Sequence, residues 1–173
     1  MRVPSITALI LTGSLAGLTS AQIEFKPFAS SAGRYKVVFP GPVKSDTYDL
    51  TSADKTPLKL YVDSVELRGG TSFAVTYIDV TEATAKQPTG QWLDKVRDGN
   101  KGPDGKLIEE KDLTVGLEKY PGRDILIEKP GGFVRNRAVI AGRRLYQVLV
   151  QGPKEVVTSP SADRFLESFE ITK

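Results

Sequence analysis

Apolar and polar residues alternate along short runs closed by glycine and proline, and that punctuation commits most of the chain to antiparallel strands. Residues 34–39 place Tyr35, Val37 and Phe39 on one face and stop at Pro40-Gly41-Pro42. Residues 58–67 carry Leu58, Leu60 and Val62 at even positions but Val65 and Leu67 at odd ones, which predicts a bulge near Asp63-Ser64. Gly69-Gly70 turns the chain into residues 71–79, where Phe73, Val75 and Tyr77 share a face. Strands are expected over 106–117 and 123–128, joined through Tyr120-Pro121-Gly122, and again over 133–140 and 145–151. In that last hairpin a two-residue loop would put Tyr146, Val148 and Val150 on the face of Arg135 and Arg137. A three-residue loop instead groups them with Val134, Ala138 and Ile140, leaving Arg135, Arg137 and Gln147 opposite. The three-residue loop is the expectation, with Gly142 at positive φ.

Two segments change period. Trp92, Leu93 and Val96 predict a helix over 90–98, capped by Thr89 and ended by Gly99 or Gly102, with an exposed loop over 99–105. Ser159-Pro160-Ser161 opens a second helix with proline at its first position, followed by Ala162, Phe165, Leu166 and Phe169 at i, i+3, i+4 and i+7. The order β, ββ, α, ββ, ββ, α describes a single α+β domain over residues 22–173, an antiparallel β-sheet covered by helices.

Residues 1–21 have a different character. Arg2, an apolar run from Ile6 to Leu18, and small residues at Thr19-Ser20-Ala21 read as a secretory signal peptide, cut near Ala21 to leave a chain beginning at Gln22. The run is short for a membrane span, so the expected product is exported, periplasmic or extracellular, without a stable membrane anchor. The chain has no cysteine, which rules out disulfides and a lipidated N-terminal cysteine; its stability must come from an apolar core. It has no histidine either, which removes Ser-His-Asp triads, Cys-His dyads and His-ligated zinc. The formal net charge of +3 is too small for a nucleic-acid footprint. These exclusions predict a monomeric, non-enzymatic domain with no cofactor, no metal and no nucleic-acid partner.

The remaining candidate chemistry is sparse. Ser52-Ala-Asp-Lys55 matches the S-x-x-K pattern of serine acylases but lacks their S-D-N element, and it reads as a polar turn. Glu109 and Glu110, adjacent on a strand, point to opposite faces and cannot form the facing carboxylate pair of a glycosidase; Asp46 and Asp49 are a further carboxylate pair. Residues 98–104 space oxygen ligands as calcium loops do, but without the closing Glu and with Lys101 opposing a cation. The arginines are richer: Arg135 and Arg137 on one strand face, Arg143 and Arg144 in the adjoining turn and Arg123 on the preceding strand can converge on a carboxylate, a phosphate or an acidic surface. The competing reading pairs them with Asp124, Glu128 and Asp163 while their stems cover the sheet.

Four segments, GRYKVVFPGP (33–42), PGRDI (121–125), GRRLYQVLVQG (142–152) and DRFLESFEI (163–171), together resemble small exported bacterial domains of the PsbP/Mog1-like (DcrB-like) group. The resemblance implies an α/β/α sandwich around an antiparallel sheet, with Gly33, Pro40, Gly122 and Gly142 shaping turns and Phe165 and Phe169 filling the core. Members of that group serve as photosystem accessory subunits, small-GTPase binding factors or uncharacterised envelope proteins, without a shared catalytic set, so no functional residue is carried over. The expected role is an exported binding or accessory domain whose partner is an unknown protein. The alternative is a binder of a small anionic ligand using the arginine-rich face, and a hydrolase built on carboxylates or Ser52 and Lys55 ranks below both.

Overall fold

The computed structural model describes residues 24–52 and 55–173, so the expected signal at 1–21 lies outside the described residues. Among them, β1 (Lys26–Ser30), β2 (Tyr35–Phe39) and β10 (Glu170–Ile171) form a small sheet ordered β1-β2-β10. The large sheet takes β3 (Lys44–Thr51), β4 (Pro57–Leu67), β5 (Thr71–Asp79), β6 (Lys106–Val115), β7 (Tyr120–Lys129), β8 (Gly132–Ala141) and β9 (Arg144–Gly152). Its order is β3-β4-β5-β9-β8-β7-β6. After β5, α1 (Glu82–Ala85) and α2 (Thr89–Lys101) carry the chain to the far edge. From there the meander β6 to β9 returns to close against β5, and every pairing is antiparallel.

Alternation sorts the side chains onto two faces. On one, Phe73, Val75 and Tyr77 of β5 lie directly opposite Val150, Val148 and Tyr146 of β9. This face is covered by the small sheet, α3 (Lys154–Val157) and α4 (Pro160–Glu167), which bring Tyr35, Phe39, Phe165, Leu166 and Phe169 into one core. Phe165 sits edge-on to Phe73 at 5.3 Å and against Phe39 at 5.2 Å, and each such ring stabilises the fold by roughly 1.5–3 kcal/mol through burial. On the other face α2 lays Trp92, Leu93 and Val96 on Ala138, Ile140 and Leu145. The result is the antiparallel sheet covered on both faces that the sequence leads one to expect. The helix over 160–167 starts as expected too: the Ser159 hydroxyl accepts from the Ala162 amide, and Pro160 takes the first turn.

Four local expectations are corrected. There is no bulge at Asp63-Ser64: β4 pairs in unbroken register from Leu60 to Leu67 with β5, and from Lys44 to Thr51 with β3. From Tyr61 to Leu67 the odd residues face the core, and the apolar pattern breaks because one of them, Asp63, is a buried carboxylate. The irregularity lies in β6 instead, between Leu107 and Glu109.

The last hairpin closes with two residues, because Ala141 pairs with Arg144. Gly142 has φ 63 and Arg143 is not at positive φ, the pattern of a type II′ turn whose twist suits adjoining strands. Arg135 and Arg137 therefore share the face of Val150 and Val148, where carboxylates offset the cost of desolvating them.

The helix α2 starts one residue after Pro88 and runs through Gly99 to Lys101, ending at Gly102 with φ 64, so the following loop is shorter than 99–105. Gly122 is not in a turn but within β7, where an added Cβ would come 2.6 Å from the Ala138 carbonyl oxygen.

Candidate functional site

The structure disperses the five candidate arginines over three places. Arg123 faces α2: its Nη1 donates to Asp94 at 2.6 Å and Glu110 at 2.7 Å, and its Nε to Asp112 at 2.7 Å. It thereby ties α2 to the β6 edge and does not approach the other four. Arg135 and Arg137, on the opposite face of the sheet, border a hollow of about 380 Å³ with Glu109, Lys111 and Glu167. Arg135 donates to Asp163 at 2.6 Å. Arg137 grips Asp124 with two bonds of 2.7 and 2.8 Å and donates a third to the Leu166 carbonyl at 2.9 Å. Pairing with Asp124 and Asp163 follows the competing expectation; Glu128 takes no part among the described ion pairs.

Arg143 and Arg144, at the β8–β9 tip, border a larger cleft of about 1080 Å³. Its walls are the 116–119 turn, the start of β2, and residues 170–173. Arg144 clamps both Asp79 oxygens at 2.7 and 2.6 Å, donates to the Ala32 carbonyl at 2.9 Å and lies 4.9 Å from the centre of the Tyr77 ring. The bond from Arg144 holds the Asp79 carboxyl below the usual carboxylate range. Arg143 spends Nε and Nη2 on the Val80 carbonyl, at 3.2 and 3.0 Å, and makes no ion pair among the described residues.

Three cations of this cleft are not among the expected site residues: Lys173, which lies near Glu118, and Arg34 and Lys36, neither of which forms an ion pair among the described residues. The signal of the last two is present but faint. Lys36 is an outward position of β2, and Arg34 sits just before that strand, exposed in the 31–34 turn at φ 52. Only tertiary packing brings them to a tip more than a hundred residues away. Tyr120 supplies aromatic surface, while Tyr146, almost wholly buried, donates its hydroxyl to the Gly33 carbonyl at 2.7 Å. Leu117 stands fully exposed at the rim. The acids present are Asp79, held by Arg144; Glu118, 3.8 Å from Lys173; and Glu170, opposite Lys36 in the strand register.

The other candidates sit elsewhere. Ser52 Oγ donates to the Thr56 carbonyl and accepts from the Thr56 amide, both at 3.0 Å, and Lys55 is an exposed residue at φ 63. They shape the β3–β4 turn and border neither hollow. Glu110 joins Arg123 while Glu109 faces the opposite side, as expected of strand neighbours. Asp46 and Asp49 pair with Lys44 and Lys59 along the β3 edge. Asp98 is inside α2 and pairs with Arg97, so residues 98–101 coil as helix and cannot wrap an ion as a loop.

No protein-family model matches the sequence, and no curated protein does. Solved structures are similar at the level of the backbone. The solution structure of cyanobacterial PsbP (CyanoP) from Synechocystis sp. PCC 6803 aligns with a TM-score of 0.54 over 92% of this chain and 99% of that one, at 11% identity. A Pseudomonas aeruginosa protein of unknown function aligns with a TM-score of 0.37 over 77% of this chain and 85% of that one, at 8% identity. The chain has a PsbP-like α+β fold in a single domain.

Proposed function

We propose that the protein is an exported, non-enzymatic binding or accessory domain whose contact surface is the basic cleft at the β8–β9 tip. One observation carries the reading: Arg34, Lys36 and Arg143 line a concave surface outside any ion pair among the described residues, whereas the other candidate arginines are committed to carboxylates. Five Lys and Arg side chains, Arg34, Lys36, Arg143, Arg144 and Lys173, line the cleft against the three carboxylates of Asp79, Glu118 and Glu170, and this positive excess focuses a field that favours a partner presenting acidic groups. The leader at 1–21 supports export, and no helix among the described residues is long and apolar enough to cross a membrane. The reading takes the protein as a monomer without a cofactor.

A small polycarboxylate held in the same cleft is the second reading. It is favoured by the volume of about 1080 Å³, just above the range of about 300–1,000 Å³ typical of ligand sites.

Expression of the full chain in a bacterial host, followed by fractionation and N-terminal sequencing, tests export: the expected product starts near Gln22, and full-length cytoplasmic protein refutes it. Thermal melting of that product with citrate, phosphate and an acidic peptide tests binding. At least one should raise the melting temperature in the wild type and not in R34E/R143E. Absence of any shift overturns the binding reading.

A further inference from the structure

We infer that the cleft accepts an extended acidic segment of a partner protein, laid down as an added strand along the free edge of β10; the inference rests on the binding reading above. The small sheet is ordered β1-β2-β10, so β10 has a neighbour on one side only. Ile171 lies opposite Tyr35, and the Thr172 amide donates to the Arg34 carbonyl at 2.8 Å. In an antiparallel ladder, bonds from the residues flanking a pair mark that pair as the non-hydrogen-bonded kind. The amide and carbonyl of Ile171 therefore point away from β2. Ile171 and Thr172 both line the cleft, so this edge offers main-chain groups to an incoming strand.

Side chains around the edge select what that strand carries. Lys36 stands exposed on β2 and Arg34 in the turn just before it, at φ 52, so two cations lie beside this edge. Arg143 also lines the cleft and makes no ion pair among the described residues. Leu117, wholly exposed on the 116–119 turn, offers an apolar contact for the residues between the acids. The fitting partner is therefore a strand in which acidic and apolar residues alternate. The longer edges of the large sheet are less suited. On β3, Lys44 pairs with Asp46 and Asp49 with Lys59, and β6 carries charges of both signs, which is how edges are kept from pairing with other chains.

The test uses the exported protein and a fluorescent peptide of alternating Glu and Val. Three comparisons accompany it: the same peptide N-methylated on alternate residues in each of the two phases, a Lys-Val counterpart, and citrate. Binding is read by anisotropy and by amide NMR. The Glu-Val peptide should bind, one N-methyl phase should weaken it about tenfold, and the Lys-Val peptide should not bind. Amide shifts should centre on Ile171 and Thr172, and R34E/R143E, checked to melt as the wild type does, should weaken binding about tenfold. Equal binding of both N-methyl phases and the parent overturns strand addition. So does citrate binding without peptide binding, and both of these results leave the binding reading standing. Failure of every anionic ligand removes that reading itself.

Discussion

The phenol of Tyr35 donates to a carboxylate oxygen of Asp63 at 2.5 Å, joining the small sheet to the large one through two groups that are 0% and 6% exposed. The second Asp63 oxygen accepts from the Ser45 hydroxyl on β3. Burial lifts the Tyr35 phenol well above its ordinary value, and the Asp63 bond acts in the same direction, so Tyr35 is a donor at any pH the fold meets. A carboxylate this deep is tolerated because both oxygens are satisfied.

Tyr35→Phe keeps the ring packed between Phe169 and Tyr146 but removes one of the two donors. The expected loss is about 1–3 kcal/mol, the cost of leaving a buried acceptor short of a partner. Urea unfolding should show a lower midpoint with an unchanged slope, and Tyr35→Phe/Asp63→Val should recover part of the loss. An unchanged midpoint in the single variant would mean that the bond contributes nothing net.

Gly122→Ala tests the close approach of β7 and β8. The new methyl would meet the Ala138 carbonyl oxygen at 2.6 Å, with Leu113 and Val139 side chains at 3.2 and 3.3 Å, so a strand must shift. Overpacking of this kind costs roughly 1–3 kcal/mol. Gly142→Ala strains a different feature, a positive φ in open space, and should cost less. If thermal melting ranks the two in the reverse order, the packing argument is wrong.

Elements whose signal is local were readable before the fold. The Ser159 cap, Pro160 and the apolar spacing of Ala162, Phe165 and Leu166 define α4 without reference to anything else. β3, Lys-Ser-Asp-Thr-Tyr-Asp-Leu-Thr, has no such pattern because most of it is exposed at a sheet edge, and β10 is two residues long and exists only by pairing with Lys36 and Tyr35. The final hairpin misleads for a related reason. Separating apolar from charged residues favours the three-residue loop, but Arg135 and Arg137 are accommodated beside the core by Asp163 and Asp124, which alternation along one strand does not reveal. The cleft combines both cases: Arg143 and Arg144 mark themselves by lying in and beside the hairpin turn, whereas Arg34 and Lys36 join them only once the small sheet docks on the large one.

Asp79 should give the fold a small acid sensitivity. Its carboxyl is held below the ordinary value of about 3.9 by the hydrogen bonds from Arg144, burial opposing. A depressed folded-state pKa stabilises the fold above the unfolded value, and that stabilisation disappears as pH falls through the lower folded value. Between about pH 5 and pH 2 the wild type should therefore lose more stability than Asp79→Asn, which does not titrate there. The difference should be modest because the side chain is 52% exposed. Urea midpoints across that range measure it, and parallel curves would show that Asp79 is not coupled to folding.

Arg137 separates a structural clasp from a ligand site. It holds Asp124 with two bonds and the last turn of α4 with a third, and the pair is largely buried, at 16% and 20% side-chain exposure. Breaking a buried pair from one side strands the remaining charge, so Arg137→Leu should cost about 3 kcal/mol, the lower end of the usual range because some exposure remains. Arg137→Leu/Asp124→Leu should regain most of that, since neither charge is then left alone. Chemical unfolding of the two single variants and the double variant supplies the cycle, and citrate titration of each supplies the contrast. As a clasp, Arg137 should change stability with a large coupling to Asp124 and leave citrate affinity at the β8–β9 cleft unaltered. A single variant that keeps its stability but loses citrate binding would instead move the site to the Arg135–Arg137 hollow, because an arginine free to hold a ligand is one the fold does not already need.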